Sequence, residues 1–293
     1  MNKTTQLDNA GYPVAAPRQY YHWRGRKIAY YTAGTGKNLL LVHSINAAAS
    51  AFEMRKPFAA LRDTYTVWAI DLLGYGGSDR PPIQYSGQLY AELLADFARD
   101  VLGAGAAAFG SSLGAAYLTR AAARNAGLFG PLILGCPTGV RDLAKPAEPN
   151  WGYDLLRGPA GDLIYSALAS RTSIAYFLRE QSYFDRRVVD EVTVEGYYRA
   201  TRQPGAKYAP ICFLTMLLNC DIATDFSLLS QPVQLIWGKQ AEITPPKSAQ
   251  GFLQRNERAR LAIIDHARLS VQDEQPDAFV RIVRSFLAET YCA

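Results

Sequence analysis

The pentapeptide at 110–114, with the sequence GSSLG, constrains the fold of this chain more than any other feature. A short apolar run at 106–109 precedes it, and an alanine-rich helical pattern at 115–125 follows it. A turn this tight from strand to helix needs glycine on both sides of the serine, where strand and helix backbones come close. The pattern therefore predicts that Ser112 lies strained and exposed at the N-terminus of a helix.

Apolar runs typical of strands alternate with helical patterns along the rest of the chain. These runs are continuous, which fits strands buried on both faces of a mainly parallel sheet covered by helices. An opening hairpin is expected at 20–32, with its turn at 24–27. Later strands are expected at 39–42, 66–70, 106–109, 132–135, 233–237 and 261–264.

The pattern changes between residues 137 and 229. Prolines punctuate its beginning, and helical stretches rich in Tyr, Phe and Leu follow at 162–183, 187–200 and 208–218. Strand signals are absent from this segment. We therefore expect a helical insertion at 137–229 within a core formed by residues 1–136 and 230–293.

Composition narrows the range of partners. The net charge of +5 is spread over 293 residues without a basic cluster, so nucleic-acid binding is not expected. No apolar run reaches the roughly 20 residues that cross a bilayer, and residues 1–18 lack a secretory apolar core. The four cysteines lack zinc-site spacing. We expect a cytoplasmic monomer or homodimer without metal or cofactor.

Four further segments, in order along the chain, resemble motifs of the α/β-hydrolase superfamily. The segment at 38–44 is similar to the family's third strand and oxyanion loop, and 67–81 to its D-x-x-G-x-G-x-S-D strand and loop. The segment at 232–238 looks like the penultimate strand, and 273–276 like the start of the last helix. The resemblance implies a twisted, mainly parallel sheet of about eight strands, with an inserted helical cap over a pocket.

The resemblance also implies roles for individual residues. Ser112 takes the place of the nucleophile, and the backbone N–H groups of Ile45 and Leu113 take the place of the oxyanion hole. Acyl transfer in this family also needs a histidine base and a carboxylate that orients it.

Neither of those two residues stands where the family holds it. Ala241 occupies the position of the acid, and Leu269 occupies the position of the histidine. His266, three residues before Leu269, is the remaining candidate base, with Asp265 or Glu242 as the carboxylate beside it. A serine hydroxyl without a base is a poor nucleophile near neutral pH.

Two functions follow from these residues. The first is a superfamily member with a degenerate triad and a pocket for a small apolar or aromatic molecule, without efficient ester hydrolysis. Such a protein binds or senses a ligand, or acts as a lyase- or cyclase-like catalyst. The second is an active serine esterase that uses Ser112 with a relocated His266. Because position 112 is not Asp, epoxide and haloalkane chemistry is disfavoured.

Overall fold

The sheet contains eight strands and is mainly parallel, as the sequence predicts. In a computed structural model that describes residues 13–149 and 151–291, the strand order is β1-β2-β4-β3-β5-β6-β7-β8. The pairs β1–β2 and β2–β4 are antiparallel, and every other pair is parallel. The strands are β1 (Arg18–Trp23), β2 (Arg26–Ala33), β3 (Asn38–Val42), β4 (Thr66–Ile70), β5 (Ala106–Ser111), β6 (Phe129–Gly135), β7 (Val233–Gly238) and β8 (Ala259–Ile264).

Helices cover this sheet in two groups, α1 with α12 and α2 with α3 and α9. The helices are α1 (Arg55–Leu61), α2 (Gly87–Phe97), α3 (Leu113–Arg124), α4 (Trp151–Arg157), α5 (Pro159–Leu168), α6 (Arg171–Phe177), α7 (Glu191–Thr201), α8 (Tyr208–Leu214), α9 (Ala223–Ser227), α10 (Ala249–Leu253), α11 (Val271–Glu274) and α12 (Pro276–Thr290). Strands β5 and β7 are buried along their whole length, which explains their continuous apolar sequences.

The segment between β6 and β7 is helical and contains α4 to α9. The helix expected at 162–183 is divided, because Ser170 caps α6 with a side chain that accepts from the N–H of Ser173. A second apolar cluster joins this segment to the core, with Phe52 packed against Tyr197 at a ring distance of 5.4 Å. The boundaries of the insertion at 137 and 229 stay a prediction.

The loop after β4 is joined to neighbouring segments by hydrogen bonds to one buried carboxylate. The buried carboxylate of Asp71 accepts hydrogen bonds from the N–H groups of Ala51 (2.7 Å) and Gly77 (2.7 Å) and from the hydroxyl of Tyr31 (3.1 Å). A Cβ atom on Gly76 would lie 2.0 Å from that carboxylate, so only glycine fits there. The motif at 67–81 therefore ties β2, β4 and the helical turn Ala51–Met54 together.

Among residues 13–149 and 151–291, no helix combines the length and apolar character that a membrane crossing requires.

Candidate functional site

The tight turn predicted at Ser112 is present between β5 and α3. Ser112 has φ +52° and ψ −121°, a conformation that costs a non-glycine residue free energy. A Cβ atom on Gly110 would lie 2.7 Å from Ala115 Cα, and one on Gly114 would lie 2.2 Å from the carbonyl oxygen of His43. The two glycines are therefore required because the strand, the helix and the neighbouring loop approach one another here.

Ser112 is partly exposed, and its backbone is fixed. Its N–H donates to the carbonyl of Gly135 at 2.9 Å, and its carbonyl accepts from the N–H of Ala115 at 3.1 Å. Within the described residues, no hydrogen bond is found for its hydroxyl. The turn exposes part of the serine, and no base among the described residues is hydrogen-bonded to its hydroxyl.

Ile45 and Leu113 lie on the two backbone segments that meet at Gly114. Leu113 is the first residue of α3, so its N–H has no acceptor within the helix. Neither Leu113 N–H nor Ile45 N–H makes a hydrogen bond to any residue in 13–149 or 151–291. Their pairing as an oxyanion hole stays a prediction.

His43 stabilises the loop that carries Ile45. Its Nε2 accepts a hydrogen bond from the N–H of Leu72 at 3.1 Å, so the proton lies on Nδ1 and is donated to the carbonyl of Ser44 at 2.6 Å. Because both ring nitrogens of this buried imidazole are occupied by backbone groups, His43 is not available as a base.

Sequence reasoning missed Glu53, a buried carboxylate directly behind the same loop. Its Oε2 accepts from the N–H of Ser44 at 2.9 Å, and its Oε1 accepts from the Ser44 hydroxyl at 2.9 Å and from Asn46 Nδ2 at 3.2 Å. Burial raises the pKa of the Glu53 carboxyl, and the hydrogen bonds from Ser44 and Asn46 only partly oppose this shift. The one sequence signal was an acidic residue inside a mostly apolar and otherwise uncharged stretch at 45–54.

Leu269, where the family holds its histidine, is held by its backbone in the loop between β8 and α11. Its N–H and that of Ser270 donate to the carbonyl of Ser182, at 3.1 Å and 3.3 Å. The Ser182 and Ser270 hydroxyls also share a hydrogen bond of 2.7 Å. The side chain of Leu269 packs against the main apolar core.

His266 lies at the surface with a left-handed backbone, at φ +55°. Its side chain is 70 % exposed, and its ring meets that of Phe184 edge to face at 5.5 Å. Its Nδ1 is 3.9 Å from Asp265 Oδ1. Hydrogen bonds lower the pKa of the Asp265 carboxyl, and the bond from Lys239 contributes most to this shift. No hydrogen bond joins Ser112 and His266 among the described residues, and their pairing stays a prediction.

The position that the resemblance assigns to the acid holds alanine. Ala241 is buried there, and its N–H donates to the carbonyl of Gly238 at 3.1 Å. The next residue, Glu242, is exposed and pairs with Arg268 at 3.1 Å. The family's other acid position, at the end of β6, holds Cys136, and burial raises the pKa of its thiol to about 12. That thiol stays protonated near neutral pH and does not replace the missing groups.

Hydrogen bonds fasten the loop at 266–274 to the insertion segment at 180–185; we call this contact the clamp. Glu274 Oε1 accepts from the N–H groups of Phe184 (2.6 Å) and Asp185 (2.8 Å), and Tyr183 donates its hydroxyl to Asp273. Asp273 is fully buried and pairs with Arg55 at 2.7 Å. The sequence predicted a helix start at 273–276 but gave no sign of this buried charge pair.

A cavity of about 550 Å³ lies between the loop at 46–48 and the insertion. Its walls come from that loop and from Leu168, the α6 region, Tyr197 and the 210–214 stretch of α8. It begins one residue beyond Ile45, and Ser112 itself does not line it. Its lining is mainly aliphatic and aromatic, as expected for a site that takes an apolar molecule.

Comparison with known proteins places these features in a family. Residues 39–282 match the model of the alpha/beta hydrolase family. The chain is 24 % identical over 295 residues to a 2-hydroxy-6-oxo-6-(2'-aminophenyl)hexa-2,4-dienoic acid hydrolase of Metapseudomonas resinovorans, which covers 98 % of this chain and 96 % of that protein.

Solved structures show the same fold. A serine hydrolase involved in carbazole degradation superposes with a TM-score of 0.79 at 20 % identity, covering 94 % of this chain and 99 % of that one. A thermophilic esterase from Thermogutta terrifontis gives a TM-score of 0.75 at 19 % identity, covering 94 % and 99 %. The sheet has the predicted α/β-hydrolase arrangement, and this chain belongs to the alpha/beta hydrolase family.

Proposed function

We propose that this protein binds a small apolar or aromatic molecule between its core and the helical insertion, and that it does not hydrolyse esters efficiently. In this proposal the insertion at 137–229 acts as a cap, and Ser112, Ile45 and Leu113 form the remnant of a hydrolase site. The triad is degenerate because Ala241 and Leu269 replace the acid and the base.

The environment of Leu269 carries this proposal. The loop that holds it is bonded through backbone and side chains to Ser182, and position 269 offers no imidazole to the strained turn at Ser112, which we call the elbow. The Ser112 hydroxyl accordingly has no partner within the described residues. Loss of triad members costs on the order of 10⁴- to 10⁶-fold in rate, while binding and the oxyanion hole persist. Ligand binding, sensing or proximity-driven chemistry fits such a site better than ester hydrolysis.

A serine esterase that uses Ser112 with His266 is the second candidate. Two observations favour it: the strained elbow is intact, and His266 lies beside Asp265 in a left-handed turn next to the clamp. Movement of that turn would be needed to bring the imidazole to the serine. The hydrolase relative from Metapseudomonas resinovorans supports this alternative by its activity.

A fluorophosphonate probe and a short-chain aryl ester separate the two functions. We expect labelling of Ser112 and ester turnover on the order of 10⁴-fold below an intact triad, with Ser112→Ala as the blank. The cause is the lack of a base within reach of the hydroxyl. Rapid stoichiometric labelling, abolished by His266→Ala but retained in the matched surface variant His22→Ala, would instead establish the esterase.

A further inference from the structure

Among the residues that the structure describes, those lining the cavity between the loop at 46–48 and the insertion include no ionisable side chain other than tyrosine. None of its lining residues is Arg, Lys, His, Asp or Glu. Burial raises the pKa of Tyr197 far above its usual value, so its phenol stays protonated and uncharged. An ionised carboxylate that enters such a space loses hydration without gaining a charged partner, which disfavours its binding.

Two polar side chains of the lining, those of Asn46 and Ser173, are already bonded within the protein. Asn46 Nδ2 donates to Ser44 Oγ and Glu53 Oε1, both at 3.2 Å, and its Oδ1 accepts from the N–H of Ala48 at 2.8 Å. The Ser173 hydroxyl donates to the carbonyl of Ala167 at 2.7 Å. Among the described lining residues, the polar side chains without a hydrogen bond to the protein include those of Thr172, Tyr176 and Gln181, all at exposed positions that form the rim.

Nearby charged groups do not compensate for this. Glu53 lies behind Asn46: ionised it repels an anion, and protonated it offers no positive charge. Arg171 and Arg179 line an adjoining groove that shares Thr172 and Tyr176 with the cavity, and both guanidinium groups are engaged there: Arg171 pairs with Glu195 at 2.7 Å, and Arg179 donates to the carbonyl of Val189 at 3.2 Å. Arg55 is bound to Asp273 within the clamp.

We propose that this cavity takes an uncharged ligand, with its apolar body toward the loop at 46–48 and any polar end at the rim near Thr172 and Gln181, and that it rejects carboxylates. This inference rests on the proposed function and specifies its ligand class. It distinguishes the chain from its relative in Metapseudomonas resinovorans, which is a hydrolase of a dienoic acid.

The test compares 2-naphthamide with 2-naphthoate, two probes of one shape that differ in charge, by calorimetric titration of the full chain at pH 7.5. We expect the amide to bind at least about ten-fold more tightly than the carboxylate, since only the anion loses hydration without compensation. Equal or tighter binding of the carboxylate would overturn the inference and leave the proposed pocket standing. If neither probe binds, the proposed pocket fails, and the inference fails with it.

A matched pair of variants tests the cause of the preference. Leu214 lines the cavity and is 44 % exposed, so a long polar side chain fits there with its head in water. The amide-to-carboxylate affinity ratio should fall about ten-fold in Leu214→Arg relative to Leu214→Gln, because only arginine supplies a cation. Equal ratios in two folded variants would show that the missing cation does not set the preference.

Discussion

At the scale of single residues, Ser112 retains a strained conformation although no base is bonded to it. Its φ of +52° and ψ of −121° are held by neighbours on both sides, Gly110 and Gly114. Backbone strain of this kind costs on the order of 1–3 kcal/mol and persists where the surrounding structure imposes it. The elbow is therefore a property of the packing between β5 and α3, independent of the reactivity of the hydroxyl.

Glycine at position 112 should relieve this strain. We expect Ser112→Gly to be more stable to urea than Ser112→Ala by about 1 kcal/mol, because alanine keeps the Cβ while the entropy cost of glycine offsets only part of the gain. At Ser111, inside β5, the order should reverse and alanine should be the more stable. A Ser112→Gly variant less stable than Ser112→Ala would show that the turn is not strained.

At the scale of elements, the sequence was sufficient for the strands but not for the loops that form the site. Strand β4 has the predicted bounds, and other strands gain only one to three residues at their ends, since continuous apolar runs specify buried strands. The clamp could not be predicted because its partners, such as Phe184 and Glu274, are 90 residues apart in the chain. Glu53 could not be predicted because a buried carboxylate looks like any other acidic residue in a sequence. The helical stretch predicted at 162–183 is helical but interrupted, because Ser170 ends one helix and caps the next.

Two substitutions should restore part of the catalytic triad if the loops after β7 and β8 place positions 241 and 269 where the family has its acid and its histidine. Ala241→Asp with Leu269→His should raise aryl ester hydrolysis by on the order of 10²-fold over the parent. Leu269→His alone should help little, since an unoriented imidazole adopts wrong rotamers and tautomers. Ala241→Asp alone should destabilise the protein, because Ala241 is buried and a lone carboxylate there lacks a partner.

The matched control is Ala241→Asn with Leu269→His, which has the same shape as the rescued pair but cannot favour the productive tautomer. Ser112→Ala in the rescued background should remove the gain. A folded Asp/His double variant with the turnover of the parent would show that positions 241 and 269 do not face Ser112.

At the scale of the whole molecule, several buried acids are held inside a protein of net positive charge. Burial raises the pKa of Glu53 and of Glu274, whereas Asp273 is paired with Arg55. An acid whose pKa is raised by folding favours the native state fully below its ordinary pKa of 4.5. That contribution is lost as the pH rises through the folded pKa.

The stability of the parent relative to Glu53→Gln should therefore fall between pH 5 and pH 8. At each pH the variant lacks one acceptor for Ser44 or Asn46, which lowers its stability at both pH values. The informative quantity is therefore how the difference in unfolding free energy between parent and variant changes from pH 5 to pH 8. Urea titrations of both proteins at the two pH values measure it. Exposed Glu257→Gln is the control and should show no such change. A difference that is constant or grows with pH would mean that folding does not raise the pKa of Glu53.

The clamp also bears on the side from which the proposed ligand would enter the cavity. One edge of the insertion is anchored through Ser182, Tyr183 and the N–H groups accepted by Glu274, so lifting that edge would leave buried carboxylates without their partners. We therefore expect a ligand to enter between α6 and α8, past the exposed Thr172. The edge held by the clamp is expected to stay in place. In an enzyme with an intact triad, the catalytic histidine would have to lie at that same edge. Here hydrogen bonds fasten that edge to the loop at 266–274 instead.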